Sequence, residues 1–317
     1  MTLLHHVSII NRNAEDAFHF YRNILGLDLT MKTVNQDDHR MYHLFFGDNE
    51  GRVGSEVTIF EITKGPDKKF GTNDIERLLF KVPSIDSLHF WLARLDAFNV
   101  CHYGIERFAN RDLIRFEGPD NTGLGFVVMH ESEQIDEFMP PQHTEIPLAH
   151  RILALDSVHL RTRFSKATVN ELERYHDFKE RDTLNFFDSE HNVSVLSNDD
   201  VMYHEIYVIQ DNQSENSVSS IGSIHHVAIS IADTEHLRSF EASLNERNIV
   251  NSSIKNREFF QSIYYRDPNH ILIEIATVEG KKPTQPNQSA TEFKHIPLVL
   301  PEYLESKREV ISSQLTH

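Results

Sequence analysis

Apolar segments of two kinds alternate along the chain. Residues 4–10 alternate apolar and polar side chains and are rich in β-branched residues, which predicts a strand. Residues 13–27 carry aromatic and aliphatic side chains at helical spacing, between an Asn that can cap a helix and a Gly that can end it. Strand-like runs follow at 41–46 and 56–62. The order is that of a β-α-β-β-β module in which one strand is not located.

The same order of elements recurs three more times, most weakly in the third copy. The further predicted elements are strands at 75–82, 113–117, 125–130, 154–160, 193–196, 204–209, 224–230, 260–266 and 271–276, and helices at 84–98, 166–177 and 234–247. Four similar modules of about 60–70 residues indicate an internally duplicated fold. Each module combines one helix with a run of several strands, so the predicted fold class is α+β.

The chain length and one polar stretch set the predicted domain organisation. A chain of 317 residues is long enough for two domains, each with its own core. Residues 131–147 are polar and Pro-rich and are predicted to join the domains, which gives boundaries of 1–135 and 148–317. A C-terminal helix is predicted at 302–313.

Composition excludes several functional classes. The chain has 31 Lys and Arg against 48 Asp and Glu, a net charge of −17, so binding to nucleic acid phosphates or anionic membranes is not expected. It has no apolar run of about 18 residues that would predict a spanning helix. The single cysteine, Cys101, cannot form a disulfide within the chain, so the fold does not need an oxidising compartment. The predicted location is the cytoplasm.

Two His-His pairs and one strand glutamate are the candidate metal ligands. The pairs at 5–6 and 225–226 each open a predicted strand. Glu274 lies within a run of Ile and Leu, where a carboxylate is costly to bury unless it meets a cation or hydrogen-bond donors. Single strand histidines usually serve packing, but the matching motifs favour a metal site of His6, His226 and Glu274. Such a set suits Fe(II) with positions left open, although Mn, Zn or Ni can also occupy it.

These residues belong to a wider resemblance that covers nearly the full chain. The segments that carry it are 4–7, 20–21, 25–27, 32–35, 42–47, 224–226, 255–257, 267–268 and 273–277. The chain resembles the vicinal-oxygen-chelate superfamily, which includes glyoxalases and extradiol dioxygenases. It is most similar to the dioxygenases that cleave the ring of para-hydroquinones, such as chlorohydroquinone 1,2-dioxygenases and quinone-responsive dioxygenases. The resemblance implies four βαβββ modules paired into two domains, each a cupped mixed β-sheet flanked by helices.

The resemblance also implies a function and a ligand set. Carried over residue by residue, the metal ligands are His6, His226 and Glu274, the same three that the residues themselves suggest. The implied enzyme is a non-heme Fe(II)-dependent, extradiol-type ring-cleaving dioxygenase that takes a small hydroquinone-like aromatic and O₂. A homo-oligomer is possible.

Four further residues are predicted to act on the substrate. In the family that the chain resembles, an Arg and a Tyr at the positions of Arg257 and Tyr264 face the substrate, where they can stabilise a phenolate and donate a proton. A surface ion pair for Arg257 and core packing for Tyr264 are the structural alternatives. His5 and His225 are implied to hydrogen-bond near the substrate, although regular alternation would point them to the opposite face of the sheet.

One glutamate separates the leading hypothesis from its main alternative. Glu61 ends the first module at the place predicted to correspond to Glu274. If Glu61 is a fourth ligand, a glyoxalase-like lyase or isomerase, or a thiol transferase, is favoured over O₂ chemistry. A third hypothesis is a binding module that sequesters aromatics. Ser8 shares the face of His6, and His43 and His159 are interpreted as core or inter-module residues.

Overall fold

Sixteen strands build the described part of the chain. This computed structural model describes residues 3–187, 189–198, 202–280, 282 and 284–315. The strands are β1 (Leu4–Asn11), β2 (Asp28–Val34), β3 (Tyr42–Gly47), β4 (Glu56–Glu61), β5 (Asp74–Val82), β6 (His102–Phe108), β7 (Arg111–Glu117), β8 (Gly123–Val128), β9 (Ala154–Thr162), β10 (Lys179–Asn185), β11 (Asn192–Ser197), β12 (Glu205–Gln210), β13 (Ile224–Ile231), β14 (Lys255–Asn256), β15 (Gln261–Arg266) and β16 (Leu272–Thr277).

The helices are short and lie outside the sheets. They are α1 (Ala14–Phe18), which continues as a π-helix (His19–Ile24), α2 (Ile85–Ala97), α3 (Ser165–Tyr175), α4 (Thr234–Glu246) and α5 (Arg308–Gln314), with 3₁₀ turns at Pro119–Asn121, Ile135–Glu137, Leu148–His150, Phe293–His295 and Glu302–Lys307. Asn13, Ser84 and Asp233 cap α1, α2 and α4 through their side chains. None of the helices in the described ranges is long and apolar enough to cross a membrane.

The strands form two eight-stranded mixed sheets. One has the order β14-β15-β16-β13-β1-β4-β3-β2 and the other β10-β11-β12-β9-β5-β8-β7-β6. The predicted class, α+β with four βαβββ modules and two curled mixed sheets, is confirmed. We call the first the open sheet and the second the filled sheet, because their concave faces differ as described below.

The pairing of modules corrects the predicted domains 1–135 and 148–317. The open sheet joins the first and fourth modules through antiparallel β1 and β13, and the filled sheet joins the second and third through β5 and β9. Each sheet therefore takes one module from either side of the linker. The second and third modules are neighbours along the chain, and their pairing leaves the opening strands of the other two to pair with each other.

A β-bulge interrupts each half of the β1–β13 ladder. Leu4 and His6 pair with consecutive residues of β13, so His5 is an extra residue on β1. Ser8 and Ile9 pair with His226 and Ile224, so His225 is the extra residue on β13. Bulges re-aim side chains and are common beside functional sites.

Four strands that the sequence did not reveal, β2, β6, β10 and β14, are the edge strands of the two sheets. β10 and β6 lie at opposite edges of the filled sheet, and β10 is exposed along most of its length. A strand such as β10, with solvent on both faces, has no alternating pattern of apolar residues by which the sequence could predict it. The predicted C-terminal helix at 302–313 is a 3₁₀ turn followed by α5.

The C-terminal segment, residues 284–315, covers the β2 edge of the open sheet. Lys32 on β2 donates from Nζ to the carbonyl oxygens of Phe293 at 2.9 Å and Ile296 at 3.0 Å. The backbone N–H of Val299 donates to the Lys32 carbonyl at 2.8 Å. This edge is therefore paired and covered, which protects it from association with other strands.

Candidate metal centre and substrate cavity

Two imidazoles and one carboxylate meet on the concave face of the open sheet. His6 lies on β1, His226 on β13 and Glu274 on β16, and one ligand atom from each lies within 4.8 Å of the others. Nε2 of His6 is 3.1 Å and Nε2 of His226 is 2.9 Å from Oε2 of Glu274. All three side chains are buried. The structure thus brings together the three predicted ligands across 268 positions of sequence (274 − 6).

The electrostatics of this triad fit a divalent cation. Burial alone would raise the pKa of Glu274, but the two histidines beside it hold that pKa well below its usual range. Burial also lowers the pKa of His6, which favours the neutral imidazole that can act as a ligand. His226 Nε2 and both Glu274 oxygens are buried without a hydrogen-bond partner. Buried polar atoms left in this way are costly unless an ion satisfies them.

The bulged His5 fixes the tautomer of His6. His5 Nε2 lies 3.3 Å from the Thr277 carbonyl, which can only accept, so this nitrogen carries the proton. Burial lowers the pKa of His5 to about 3, so its Nδ1 is an acceptor. That atom lies 3.0 Å from His6 Nδ1, which must then donate. His6 Nε2 can then present a lone pair to an ion bound between it and Glu274, as metal binding requires.

His225 repeats this contact on the second strand but faces a different space. Its Nδ1 lies 2.8 Å from Nδ1 of His226, and burial lowers the pKa of His225 to about 3. His225 lines the main cavity, whereas His5 lines a separate pocket of about 420 Å³. The two predicted catalytic histidines therefore occupy different positions relative to the cavity.

Arg257 and Tyr264 both line the main cavity. Tyr264 pairs with Glu274 across β15 and β16, and its ring contacts that of His226 at a centroid distance of 5.5 Å. Burial, then the Glu274 charge, raises its pKa, so the phenol is a donor at neutral pH. Arg257 lies 5.6 Å from the Tyr264 ring centroid and 3.1 Å from Asp37. The structure places both side chains in the wall of the cavity, and their roles toward a substrate stay a prediction.

The main cavity opens on the triad and has a volume of about 480 Å³. Most of the surface of its walls is apolar, and polar side chains supply the rest. The lining includes Thr33, Asn35, Gln36, Asp37, His43, Phe45, Phe60, Phe259 and Phe260 in addition to the residues already named. A mostly apolar cavity with a few placed polar groups is the usual form of a small-molecule site.

The register of β4 corrects the assignment of Glu61. His226 is followed two residues later by Ala228, which pairs with Glu274, and His6 is followed two residues later by Ser8, which pairs with Thr58. Thr58 is therefore the counterpart of Glu274. Glu61 lies three positions further along, on the other face of the sheet. There its Oε1 accepts from the backbone N–H of Ala14 at 2.9 Å, at the start of α1.

Several cavity residues escaped the sequence reasoning. Asp37 and Gln36 lie in the loop after β2, and Gln36 Nε2 donates to the Arg257 carbonyl at 3.0 Å, 221 positions away. No pattern in the sequence around either residue predicts a contact over this distance along the chain. Thr33 and Asn35 belong to a segment that carried the family resemblance, which was the only available signal. His43 is not one of the three clustered ligands among the described residues, and it lines the cavity.

The comparisons with known proteins agree with this arrangement. A family model described as the Glyoxalase/Bleomycin resistance protein/Dioxygenase superfamily matches residues 3–126. "Putative ring-cleaving dioxygenase MhqA" of Bacillus subtilis is 32% identical over 312 residues, which span 98% of this chain and 97% of that protein. The chain belongs to this superfamily. The predicted resemblance is confirmed, as is the prediction of an enzyme of the ring-cleaving dioxygenase type.

Further proteins are similar to this chain in sequence or in fold. The chlorohydroquinone/hydroquinone 1,2-dioxygenase of Sphingobium indicum is 26% identical over 285 residues, which span 87% of this chain and 85% of that protein. A crystal structure of a "putative dioxygenase" from Bacillus subtilis superposes with a TM-score of 0.83 at 23% identity and covers 99% of this chain and 96% of its own. Glyoxalase I from Zea mays has a TM-score of 0.64 at 11% identity, with 88% and 93% coverage. These two structures support the fold.

Proposed function

We propose that this chain is a non-heme Fe(II)-dependent dioxygenase that opens the ring of hydroquinone-like aromatics with O₂. His6, His226 and Glu274 would hold the ion. The substrate class is inferred from the aromatic-walled cavity and from the similarity to MhqA and to the hydroquinone dioxygenase of Sphingobium indicum.

One observation carries the proposal. Three buried donor atoms converge within 4.8 Å, while the position equivalent to Glu274 in the first module holds Thr58. A ligand set of two neutral imidazoles and one carboxylate leaves positions open for two small molecules. Because Glu61 contacts the start of α1 on the other face of the sheet, the four-ligand alternative has no support from its placement.

The ion would supply the redox chemistry, and the protein residues around it would fix the positions of the protons. Bound Fe(II) would bring a phenolic oxygen and O₂ to neighbouring positions and let electrons pass between them. For His226 to present a lone pair on Nε2, its proton must sit on Nδ1 and be donated to His225 Nδ1. His225 then carries its own proton on Nε2. Since His225 lines the cavity, this N–H is a donor available to the substrate.

Arg257 and Tyr264 supply positive charge and a proton donor beside the triad. The guanidinium of Arg257 favours the deprotonated form of a phenol in the cavity. Tyr264, protonated at neutral pH, can donate to an oxygen that gains negative charge during ring opening. The aromatic walls, including Phe60 and Phe260, contact the ligand histidines and exclude water from the same space.

Oxygen uptake by the Fe(II)-loaded protein tests the proposal. Protein loaded under anaerobic conditions is mixed with hydroquinone, with catechol, or with methylglyoxal plus a thiol, and O₂ consumption is followed after aeration. We expect uptake with hydroquinone. Rapid conversion of the thiol adduct without O₂ would favour the glyoxalase-like alternative, and binding without any turnover would favour a sequestering module.

A matched variant ties turnover to the proposed ligands. His226→Ala is expected to lose both bound iron and O₂ uptake, because two remaining donors cannot hold the ion against water. Iron retained at wild-type level in this variant would contradict the ligand assignment. Reconstitution with Mn, Zn and Ni in parallel identifies the metal that supports turnover. A cytoplasmic location and a homo-oligomeric state stay predictions.

A further inference from the structure

A chain of three hydrogen-bonded polar side chains lies on the first-module side of the triad. Ser8 Oγ is 2.7 Å from Thr58 Oγ1, and His43 Nε2 is 3.0 Å from the same Thr58 oxygen. The three residues come from β1, β4 and β3, which are adjacent in the open sheet. We call them the hydroxyl bridge.

The hydroxyl bridge occupies a defined place relative to the metal ligands. Thr58 is the register counterpart of Glu274, and Ser8 is the counterpart of Ala228. The fourth module thus presents a carboxylate to the centre of the open sheet where the first module presents a short alcohol. Thr58 is fully buried, while Ser8 and His43 line the cavity.

The ring of Phe60 lies between His43 and the metal ligand His226 in the cavity wall. Phe60 stacks on His43 with a centroid distance of 4.1 Å, and it also contacts the His226 ring at 6.3 Å. Burial, reinforced by nearby His6 and His226, lowers the pKa of His43 well below its usual value, so the ring is neutral. A neutral imidazole offers one donor and one acceptor.

We propose that the hydroxyl bridge binds the second hydroxyl of the substrate, the one that does not approach the metal triad, and so selects dihydroxy aromatics. Ser8 and His43 contact the substrate, and Thr58 is a positioning residue that holds both. This inference rests on the proposed function, because it assumes that an aromatic with one oxygen directed at the triad occupies the cavity. A site built to hydrogen-bond a hydroxyl discriminates strongly against an analogue that lacks it, since its buried polar groups are then left unpaired.

The test compares two ligands of similar size, hydroquinone and 4-methylphenol. Their affinities for the anaerobic Fe(II)-loaded protein are measured by titration calorimetry. Thr58→Val keeps the volume and removes the hydroxyl, His43→Phe keeps the stacking and removes the nitrogens, and Thr58→Ser restores the hydroxyl. We expect the wild-type preference for hydroquinone to fall about tenfold or more in Thr58→Val and His43→Phe and to persist in Thr58→Ser.

Two further readouts separate positioning from damage to the fold. Iron content is expected to stay at the wild-type level in all three variants, and under turnover the KM for hydroquinone should rise far more than kcat falls. An unchanged preference in Thr58→Val and His43→Phe would overturn the inference alone, as would a wild-type protein that binds both phenols equally. A wild-type protein that binds neither phenol would overturn the proposed function as well.

Discussion

The two sheets of this molecule share a scaffold and differ in what fills their concave faces. The ladder between β5 and β9 carries bulges at the same places as that between β1 and β13, with Glu76 and Asp156 as the extra residues. The register then makes each metal-site position correspond to one in the filled sheet: Arg77 to His6, Ser157 to His226, Tyr207 to Glu274 and Gly125 to Thr58.

The filled sheet uses these positions for packing and ion pairing. Arg77 donates to the Phe116 and Leu124 carbonyls and pairs with Glu117. Phe108 and the residues around it, Phe186, Tyr207 and His159, form an aromatic cluster where the open sheet has its cavity. Strand pairing and bulges thus give both sheets a concave face. The few side chains that point into this face determine whether it forms a metal site with a cavity or a packed aromatic core.

The largest expected effect comes from removing the carboxylate of the open sheet. Glu274→Gln keeps the shape but removes the charge that balances a divalent ion, so metal affinity should fall more than about 100-fold, beyond the cost of losing an outer partner of a ligand. Metal content after dialysis and O₂ uptake measure this. Tyr207→Phe, the same position in the filled sheet, is the control, and equal metal loss in that variant would contradict the comparison.

A core substitution in the filled sheet should destabilise the fold without changing the amount of metal bound by the open sheet. Phe108→Ala empties the centre of the aromatic cluster and is expected to lower the free energy of unfolding by about 3–5 kcal/mol. Urea unfolding checks the stability, and iron stoichiometry checks the site. If the variant unfolds at the wild-type urea concentration, the cluster is not the core that we describe.

The bulge residues give a smaller and more selective test. His5→Phe keeps an aromatic ring against Phe260 but removes the acceptor that orients His6, so metal affinity should fall about 10–100-fold. Competition with a chelator measures the affinity. Glu76→Gln, at the matching bulge, weakens the ion pair with Arg161 and should leave metal affinity unchanged. Similar losses in both variants would indicate a general effect of the bulges.

The smallest expected effect is at the cavity mouth of the open sheet. Asp37 pairs with Arg257, but its side chain is 73% exposed, so solvent screens the interaction. Asp37→Asn should change the KM for hydroquinone less than about fivefold and leave kcat almost unchanged. Steady-state kinetics at two salt concentrations would show this. A tenfold fall in kcat would mean that Asp37 does more than hold Arg257.

The ligand triad was predictable because its residues break a local rule. A carboxylate inside an Ile-rich strand is out of place unless it has a partner, and the repeated His-His motif indicates where to look. The role of Glu61 was not predictable, because it depends on the pairing register of β4. A shift of three positions moves a side chain to the opposite face, and nothing local in the sequence sets which strand residue faces the site.

The fold was predictable at the level of modules and their repetition. The sequence did not reveal which modules pair, since the contacts between β1 and β13 join residues more than 200 positions apart. Regular alternation along a strand would point His5 and His225 away from their neighbours. The bulges instead bring both rings beside those of His6 and His226, and only the paired strands display these bulges.

Because both sheets combine the two halves of the chain, activity cannot belong to either half. A fragment that ends near residue 135 keeps His6, and a fragment that starts near 148 keeps His226 and Glu274, so each carries an incomplete ligand set. Co-expressed, the two pieces have sixteen interlocking strands to bring them together. Cutting the linker is therefore expected to give two fragments that each lack part of the metal site and that restore it only when they associate.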